Sequence, residues 1–247
     1  MELASNTVLV TGGASGIGLA LAERFLAAGS EVLICGRRED KLQEVLAIHP
    51  RMHIHACDLV KASERVALKD WTESHFPKLN VLVNNAGIQR RFRLAEPAVQ
   101  DDWTQTQEEI AINLEAPIHL SRLFIPQFLK QPPSAIINVG SGLAFTPITF
   151  MPVYCATKAA LHSFTLSLRH QLAATSIAVL EIIPPAVNTD LGGPGLHTFG
   201  APLNEFADNV FKRLGTDELE IAYGTSEQVS RASRSELEAI FQRMNSR

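Results

Sequence analysis

Short apolar, β-branched runs alternate along this chain with longer stretches in which apolar residues recur every three or four positions. The short runs, residues 7–11, 31–35, 53–57, 80–84, 135–140, 177–183 and 219–223, have the length and composition of strands. Several of them, Val81-Leu82-Val83 and Ala135-Ile136-Ile137 among them, are apolar without interruption, as strands covered on both faces are. The longer stretches read as helices. In the first, Ile17, Leu21, Phe25 and Ala28 mark one face and Gly29 supplies the stop. Further helices are predicted at 39–48, 63–75, 102–129, 153–174, 204–214 and 233–244.

Strand–helix repetition of this kind predicts an α/β architecture, a Rossmann-type doubly wound parallel sheet of about seven strands with helices on both faces. No linker, low-complexity tract or long-period repeat divides the sequence, so residues 1–247 are expected to form a single domain. The stretch 184–202 holds four prolines and four glycines. Its place after the sixth strand predicts a loop over a site, and a substrate loop is expected at about 189–213.

Composition narrows the classes. Of the 247 residues 46% are hydrophobic, enough for one large core, and 26 acidic against 22 basic side chains leave a net charge of −4. That balance supplies no cationic face for general nucleic-acid binding. No apolar run reaches the roughly 18 residues of a membrane-spanning helix. The start, Met1-Glu2-Leu3-Ala4-Ser5-Asn6, lacks the basic and apolar regions of a signal peptide. A cytoplasmic location is therefore expected, with neither nucleic acid nor membrane as partner. Cys35, Cys57 and Cys155 are an odd number at wide spacing, which fits neither a zinc site nor a disulfide framework. His53 and His55, two apart on a predicted strand, read as framework, and no metal is expected.

Candidate chemistry begins at the end of the first strand, in Thr11-Gly12-Gly13-Ala14-Ser15-Gly16-Ile17-Gly18. Glycines at 12, 16 and 18 allow a tight turn and a close approach to a pyrophosphate. The helix that follows offers free N–H groups and the positive end of its dipole to the anion. Gly12, Ser15, Gly16, Ile17 and Gly18 are thus candidate dinucleotide contacts, because a strand precedes the motif and a helix follows it. The second strand ends Cys35-Gly36-Arg37-Arg38 with no carboxylate at its tip to hold a ribose 2′-hydroxyl. Arg37 and Arg38 suit a 2′-phosphate, which favours NADP(H) over NAD(H).

The segment 11–18, Asn84-Asn85-Ala86-Gly87, Ser141 and Tyr154-Cys155-Ala156-Thr157-Lys158 match the short-chain dehydrogenase/reductase family in residue type, order and spacing. The chain resembles that family over about residues 5–190. Within it, Pro184-Pro185-Ala186-Val187-Asn188-Thr189-Asp190-Leu191 resembles the DltE-like oxidoreductases. The closing pattern Ser233-Arg234-Ser235-Glu236, Phe241 and Met244-Asn245 resembles them too.

The resemblance implies an oxidoreductase that moves a hydride between a nicotinamide cofactor and a carbonyl or alcohol. It assigns proton exchange with the substrate oxygen to Tyr154, support of that phenol and contact with the nicotinamide ribose to Lys158, and polarisation of the oxygen to Ser141. Tyr154 and Lys158, four apart on a helix, share a face, and a nearby ammonium favours the phenolate. Asn113 is the fourth family position. Pro117, four residues on, has no N–H for the carbonyl of residue 113, so the helix is expected to distort there and to free that carbonyl for a water in a proton relay. The resemblance also implies cofactor contacts from Asp58, Leu59, Asn85, Ala86, Gly87, Pro184, Val187 and Thr189. Pro185 departs from the glycine usual in the family.

The substrate is less legible. Gln89-Arg90-Arg91-Phe92-Arg93 is either an attractor of anions or a solvated loop or subunit contact, and Phe145, Met151, Leu191 and Leu196 are candidates for an apolar wall. Two competing functions stand beside the oxidoreductase: a catalytically silent NADP(H)-binding regulator and an epimerase or dehydratase of the same family. The regulator would be expected to lack Tyr154 or Lys158, and the short chain after residue 190 leaves little room for a sugar-nucleotide-binding domain. The resemblance implies a homodimer or homotetramer built on the helices at 102–129 and 153–174.

Overall fold

The computed structural model describes residues 1–91 and 103–246. Seven strands form one sheet: β1 (Thr7–Thr11), β2 (Glu31–Gly36), β3 (His53–Ala56), β4 (Val81–Asn84), β5 (Ser134–Val139), β6 (Ile177–Ile183) and β7 (Glu220–Ala222). Their order is β3-β2-β1-β4-β5-β6-β7 and every pairing is parallel. The chain winds outward from β1 to β3, then crosses back to lay β4 on the other side of β1. The expected doubly wound α/β sheet is therefore the observed one, with its topological switch between β1 and β4.

Alternation along the strands divides the core between the two faces. Val8 and Val10 of β1, Val32 and Ile34 of β2, and Ile137 and Val139 of β5 enter one core cluster. There they meet Leu21 and Phe25 of α1 (Gly16–Ala27), Leu42 and Val45 of α2 (Glu39–Ile48), and Phe206 and Val210 of α7 (Leu203–Leu214). Leu9, Leu33, Leu82 and Ile136 face the other way. They meet Leu68 of α3 (Ala62–His75), Leu120, Phe124 and Phe128 of α5 (Ala116–Phe128), and Leu168 of α6 (Pro152–Gln171). Continuous apolar strands are what a sheet covered on both sides requires.

The predicted helix at 102–129 is three pieces, with residue 102 outside the described residues. It runs as α4 (Trp103–Ile110), a π-helical turn (Ala111–Glu115) and α5. The Ala116 N–H bonds the Ala111 carbonyl, an i→i+5 bond that widens the helix just ahead of Pro117. The distortion expected from that proline is present. The stretch predicted as substrate loop, 189–213, is loop only to residue 202, and α7 takes up the rest. Helix α8 (Thr225–Arg231) carries no periodic apolar signal, since only Ser226 and Val229 in it are buried, and α9 (Arg234–Asn245) begins with a capping box between Ser233 and Glu236. His53 packs on Phe76 and His55 on Trp71, as framework side chains do. No helix among the described residues is long and apolar enough to cross a membrane.

Phe124 is fully buried between α5 and the sheet. Phe124→Ala is expected to lower the unfolding free energy by about 3–5 kcal/mol through lost transfer energy and a residual cavity. Urea denaturation measures it, and a loss under about 1 kcal/mol would contradict this packing.

Candidate active site

The carboxyl ends of the strands converge on one edge, and the turn after β1 is built first. Gly12 sits at φ 64°, and a Cβ there would come within 2.9 Å of the Ala86 Cα. A Cβ on Gly18 would overlap the Asn85 amide and the Gly12 carbonyl. Only glycine satisfies both positions. Thr11 Oγ1 accepts the backbone N–H groups of Asn85 and Ala86, each at 3.0 Å, and donates to the Val83 carbonyl. Asn85 Nδ2 donates to the Thr11 and Gly12 carbonyls at 2.9 and 3.3 Å. Its side chain thus braces the turn that faces it. Ser15, the N-cap of α1, makes no side-chain cap bond, which leaves the first amides of the helix directed at the edge. Across the gap lies Thr189, whose Cγ2 would be 3.4 Å from a Cβ on Gly16. A glycine-only cradle at a helix N-terminus, walled opposite by Thr189, fits a pyrophosphate.

The first helix-borne group is Asn113, fully buried in the π turn. Its Oδ1 accepts the Ile88 N–H at 2.9 Å and its Nδ2 donates to the Ile88 carbonyl at 2.8 Å. One turn earlier, buried Glu109 accepts the Arg90 N–H at 3.2 Å. Together they pin the segment that leaves β4. Glu109 was not among the residues singled out in the sequence; its signal was a carboxylate on the stripe that points inward. Burial raises its pKa, an effect that the Arg90 N–H and guanidinium oppose, and its Oε2 has no partner among the described residues.

Helix α6 carries Tyr154 and Lys158, both buried. It is registered on the sheet through polar contacts: Asn84 Nδ2 donates to Asn138 Oδ1 and Asn138 Nδ2 to Thr165 Oγ1, each at 2.9 Å. Ser141 follows β5 and caps a 3₁₀ turn by accepting the Leu143 N–H at 3.1 Å. The Ser141 hydroxyl is also a polar neighbour of the Tyr154 phenol. Burial pushes that phenol well above its usual value, against the opposing effect of Ser141. Lys158 Nζ donates to the Val139 carbonyl at 2.8 Å and lies 5.7 Å from the centre of the Tyr154 ring. Burial lowers the Lys158 ammonium to about 8, partly offset by the Glu181 carboxylate. The lysine is thus bonded to the backbone, and removal from water works against the charged form of both groups.

Around this centre the remaining candidates take distinct places. Arg37 and Arg38 are exposed after β2, their guanidinium groups with no hydrogen-bonded or ion-paired partner among the described residues. Asp58 accepts the Val60 N–H and lies 3.8 Å from Lys61, whereas the Leu59 side chain is core, leaving its backbone at the edge. Ala86 and Gly87 follow β4 on the rim, and a Cβ on Gly87 would lie 3.3 Å from Asn113 Oδ1. Ile17 opens α1 partly buried, Pro184 accepts the Gly142 N–H at 3.0 Å, and Val187 bridges to Ala201. Met151 and Leu191 pack beside Tyr154, as a wall would, and Leu196 lines a neighbouring cavity of about 270 Å³ with Gln89, Arg90, Arg91 and Gly192. Phe145 turns instead to His162, at 4.7 Å between ring centres. In the arginine run, Arg90 pairs with Glu108 at 2.6 Å and Arg91 lies over the Phe150 ring, while Phe92 and Arg93 are outside the described residues. Asn245, from α9, accepts the Thr149 N–H at 2.8 Å and donates to the Pro147 carbonyl, fastening the segment that leads into α6.

Comparison with known proteins agrees with this geometry. A family model described as short chain dehydrogenase matches residues 6–196. An uncharacterized oxidoreductase, DltE, of Bacillus subtilis (strain 168) is 44% identical over 250 residues, covering 99% of this chain and 98% of that protein. A short chain dehydrogenase from Burkholderia cenocepacia J2315, solved in complex with NADP, superposes with a TM-score of 0.83 at 22% identity over 99% of both chains. One from Burkholderia phymatum, solved in complex with NAD, gives 0.79 at 21% identity over 90% of each.

The Thr11 hydroxyl serves two buried amides of the turn opposite. Thr11→Val keeps the shape and removes the acceptor, so a loss of about 2–4 kcal/mol in unfolding free energy is expected. Denaturant titration reads it, and an unchanged midpoint would mean that the amides find other partners.

Proposed function

The chain belongs to the short-chain dehydrogenase family, and from that premise we propose that it is an NADP(H)-dependent oxidoreductase interconverting a carbonyl and an alcohol. The observation that carries the reading is the burial of Ser141, Tyr154 and Lys158 together beside the glycine cradle, with the Lys158 ammonium bonded to the strand-end carbonyl of Val139. When bound, the cofactor supplies or accepts the hydride. Gly12, Ser15, Gly16, Ile17 and Gly18 would hold its pyrophosphate, Ala86 and Gly87 its ribose side, Asp58 and the Leu59 backbone its adenine. Pro184, Val187 and Thr189 would hold the carboxamide. Asn85 contributes by bracing the turn.

The protein's own groups manage the proton. Ser141 orients and polarises the substrate oxygen, and Tyr154 exchanges a proton with it. A phenol that holds its proton is an acid, suited to donation toward a carbonyl oxygen. Lys158 sits behind the phenol as a buried ammonium, and Asn113 places the segment after β4 and the widened turn from which a water relay would start. Such an enzyme would work in the cytoplasm on a small molecule, as a homodimer or homotetramer through α4, α5 and α6.

The fold accommodates either nicotinamide dinucleotide, so the choice falls to the side chains after β2. Two unpaired guanidinium groups with no carboxylate at the strand tip favour a 2′-phosphate. The replacement of both Arg37 and Arg38 by Ala is expected to raise the NADPH dissociation constant about tenfold or more while leaving that of NADH nearly unchanged, about 1.4 kcal/mol lost on the phosphate alone. Tighter binding of NADH than NADPH by the unaltered protein would reject the cofactor assignment.

Turnover is tested by following NADPH absorbance against a panel of ketones, aldehydes and alcohols. Tyr154→Phe should cut kcat by at least about 10²-fold, the usual worth of a positioned proton donor. Undiminished turnover in that variant would remove Tyr154 from the mechanism. NADPH binding without turnover on any member of the panel would favour the silent regulator.

A further inference from the structure

On α6, His162 lies one turn beyond Lys158 and two beyond Tyr154, so the three share a stripe. His162 Nδ1 is 2.7 Å from Oε2 of Glu181, a residue of β6 whose side chain is wholly buried. The other carboxylate oxygen, Oε1, is buried with no partner among the described residues. It packs directly over Gly140, where a Cβ would overlap it. The Lys158 ammonium donates to the carbonyl of Val139, so the buried carboxylate and the buried ammonium flank the same Val139–Gly140 peptide. Neither charge is tolerable alone in such surroundings, and each lowers the cost of the other.

We propose that Glu181, held by His162, is a positioning residue whose charge keeps Lys158 in its ammonium form within the site, with partly exposed His162 adjusting that charge from the solvent side. The inference rests on the reading of Lys158 as part of the reaction centre. Glu181 faces Lys158 and His162. His162 in turn is faced by Glu181, by Glu220 of β7, by Arg169 two helical turns on, and by the Phe145 ring. Arg169 is itself paired with Glu220 at 2.8 Å, which leaves Glu181 as the direct partner of the imidazole. When the imidazole is protonated it neutralises the carboxylate and loosens its hold on Lys158. When it is neutral the full negative charge acts on the lysine. As pH rises, loss of the His162 proton therefore strengthens the grip on the Lys158 proton and carries the ammonium to higher pH.

The Glu181 bond raises the His162 pKa toward the range in which buried Lys158, lowered to about 8, itself titrates. The test is direct titration of Lys158 by NMR of the full chain carrying ¹³C-labelled lysine, the resonance identified by its loss in Lys158→Arg. Glu181→Gln should lower the Lys158 midpoint by about one pH unit, as loss of a neighbouring opposite charge does. His162→Gln keeps a donor for the carboxylate and removes the positive charge, so it should raise the midpoint. A merely structural pair would not move it in opposite directions. An unmoved midpoint in Glu181→Gln overturns the proposal. If that variant does not fold, His162→Gln decides alone, and a midpoint unchanged or lowered overturns it. The pH profile of carbonyl reduction should follow the Lys158 midpoint in each variant. Midpoints that shift as stated beneath an unmoved profile would remove Lys158 from the reaction and leave the counter-charge standing.

Discussion

An ammonium group taken out of water costs several kilocalories per mole unless other charges and oxygens replace its hydration. Lys158 is buried with the Val139 carbonyl as its one hydrogen-bond acceptor among the described residues. Much of the carboxyl edge answers that constraint. Helix α6 must sit close enough to β5 for the ammonium to reach a strand-end carbonyl, and the Asn84–Asn138–Thr165 chain of hydrogen bonds sets that distance. A carboxylate must lie near, and Gly140 makes room for it. The phenol of Tyr154 then inherits the dry surroundings that Lys158 occupies, and Ser141 supplies its polar contact.

Architecture was legible because it rests on periodicity. Continuous apolar strands and amphipathic helices leave little choice beyond a sheet covered on both faces, and strand limits differ from the predicted ones by no more than one residue at either end. The turn after β1 was legible for a different reason. Its glycines are required by backbone conformation and by close contact, which leave a mark in the sequence whatever the surroundings. Pro117 likewise announced a distortion, since a missing N–H is a property of the residue alone.

What stayed hidden depends on distance in three dimensions. The amide of Asn85 braces the Thr11 and Gly12 carbonyls, 74 and 73 residues away, a role with no local sign in the sequence. Leu59 reads as an edge residue until its side chain is seen in the core. Glu109 and Glu181 each stood as a carboxylate in an otherwise inward-facing position. That is a visible anomaly, but its meaning required the partners, Arg90 for one and His162 for the other. The tether from Asn245 to 147–149 joins segments almost a hundred residues apart and has no local signature.

The π turn at Ala111–Glu115 solves a problem of phase. Five turns of ideal α-helix take about 18 residues, whereas the buried stripe from Glu109 through Asn113, Ala116, Leu120 and Phe124 to Phe128 spans 19. The wide turn absorbs the surplus residue. Without it, the half of the helix that grips the segment after β4 and the half that packs on the sheet would be rotated by about 100° relative to each other. One of the two sets would then face solvent. A single inserted residue thus lets one rod serve two masters, the reaction edge and the core. A one-residue deletion there would act as a twist, in which the polar clamp and the phenylalanine stripe can no longer both be buried.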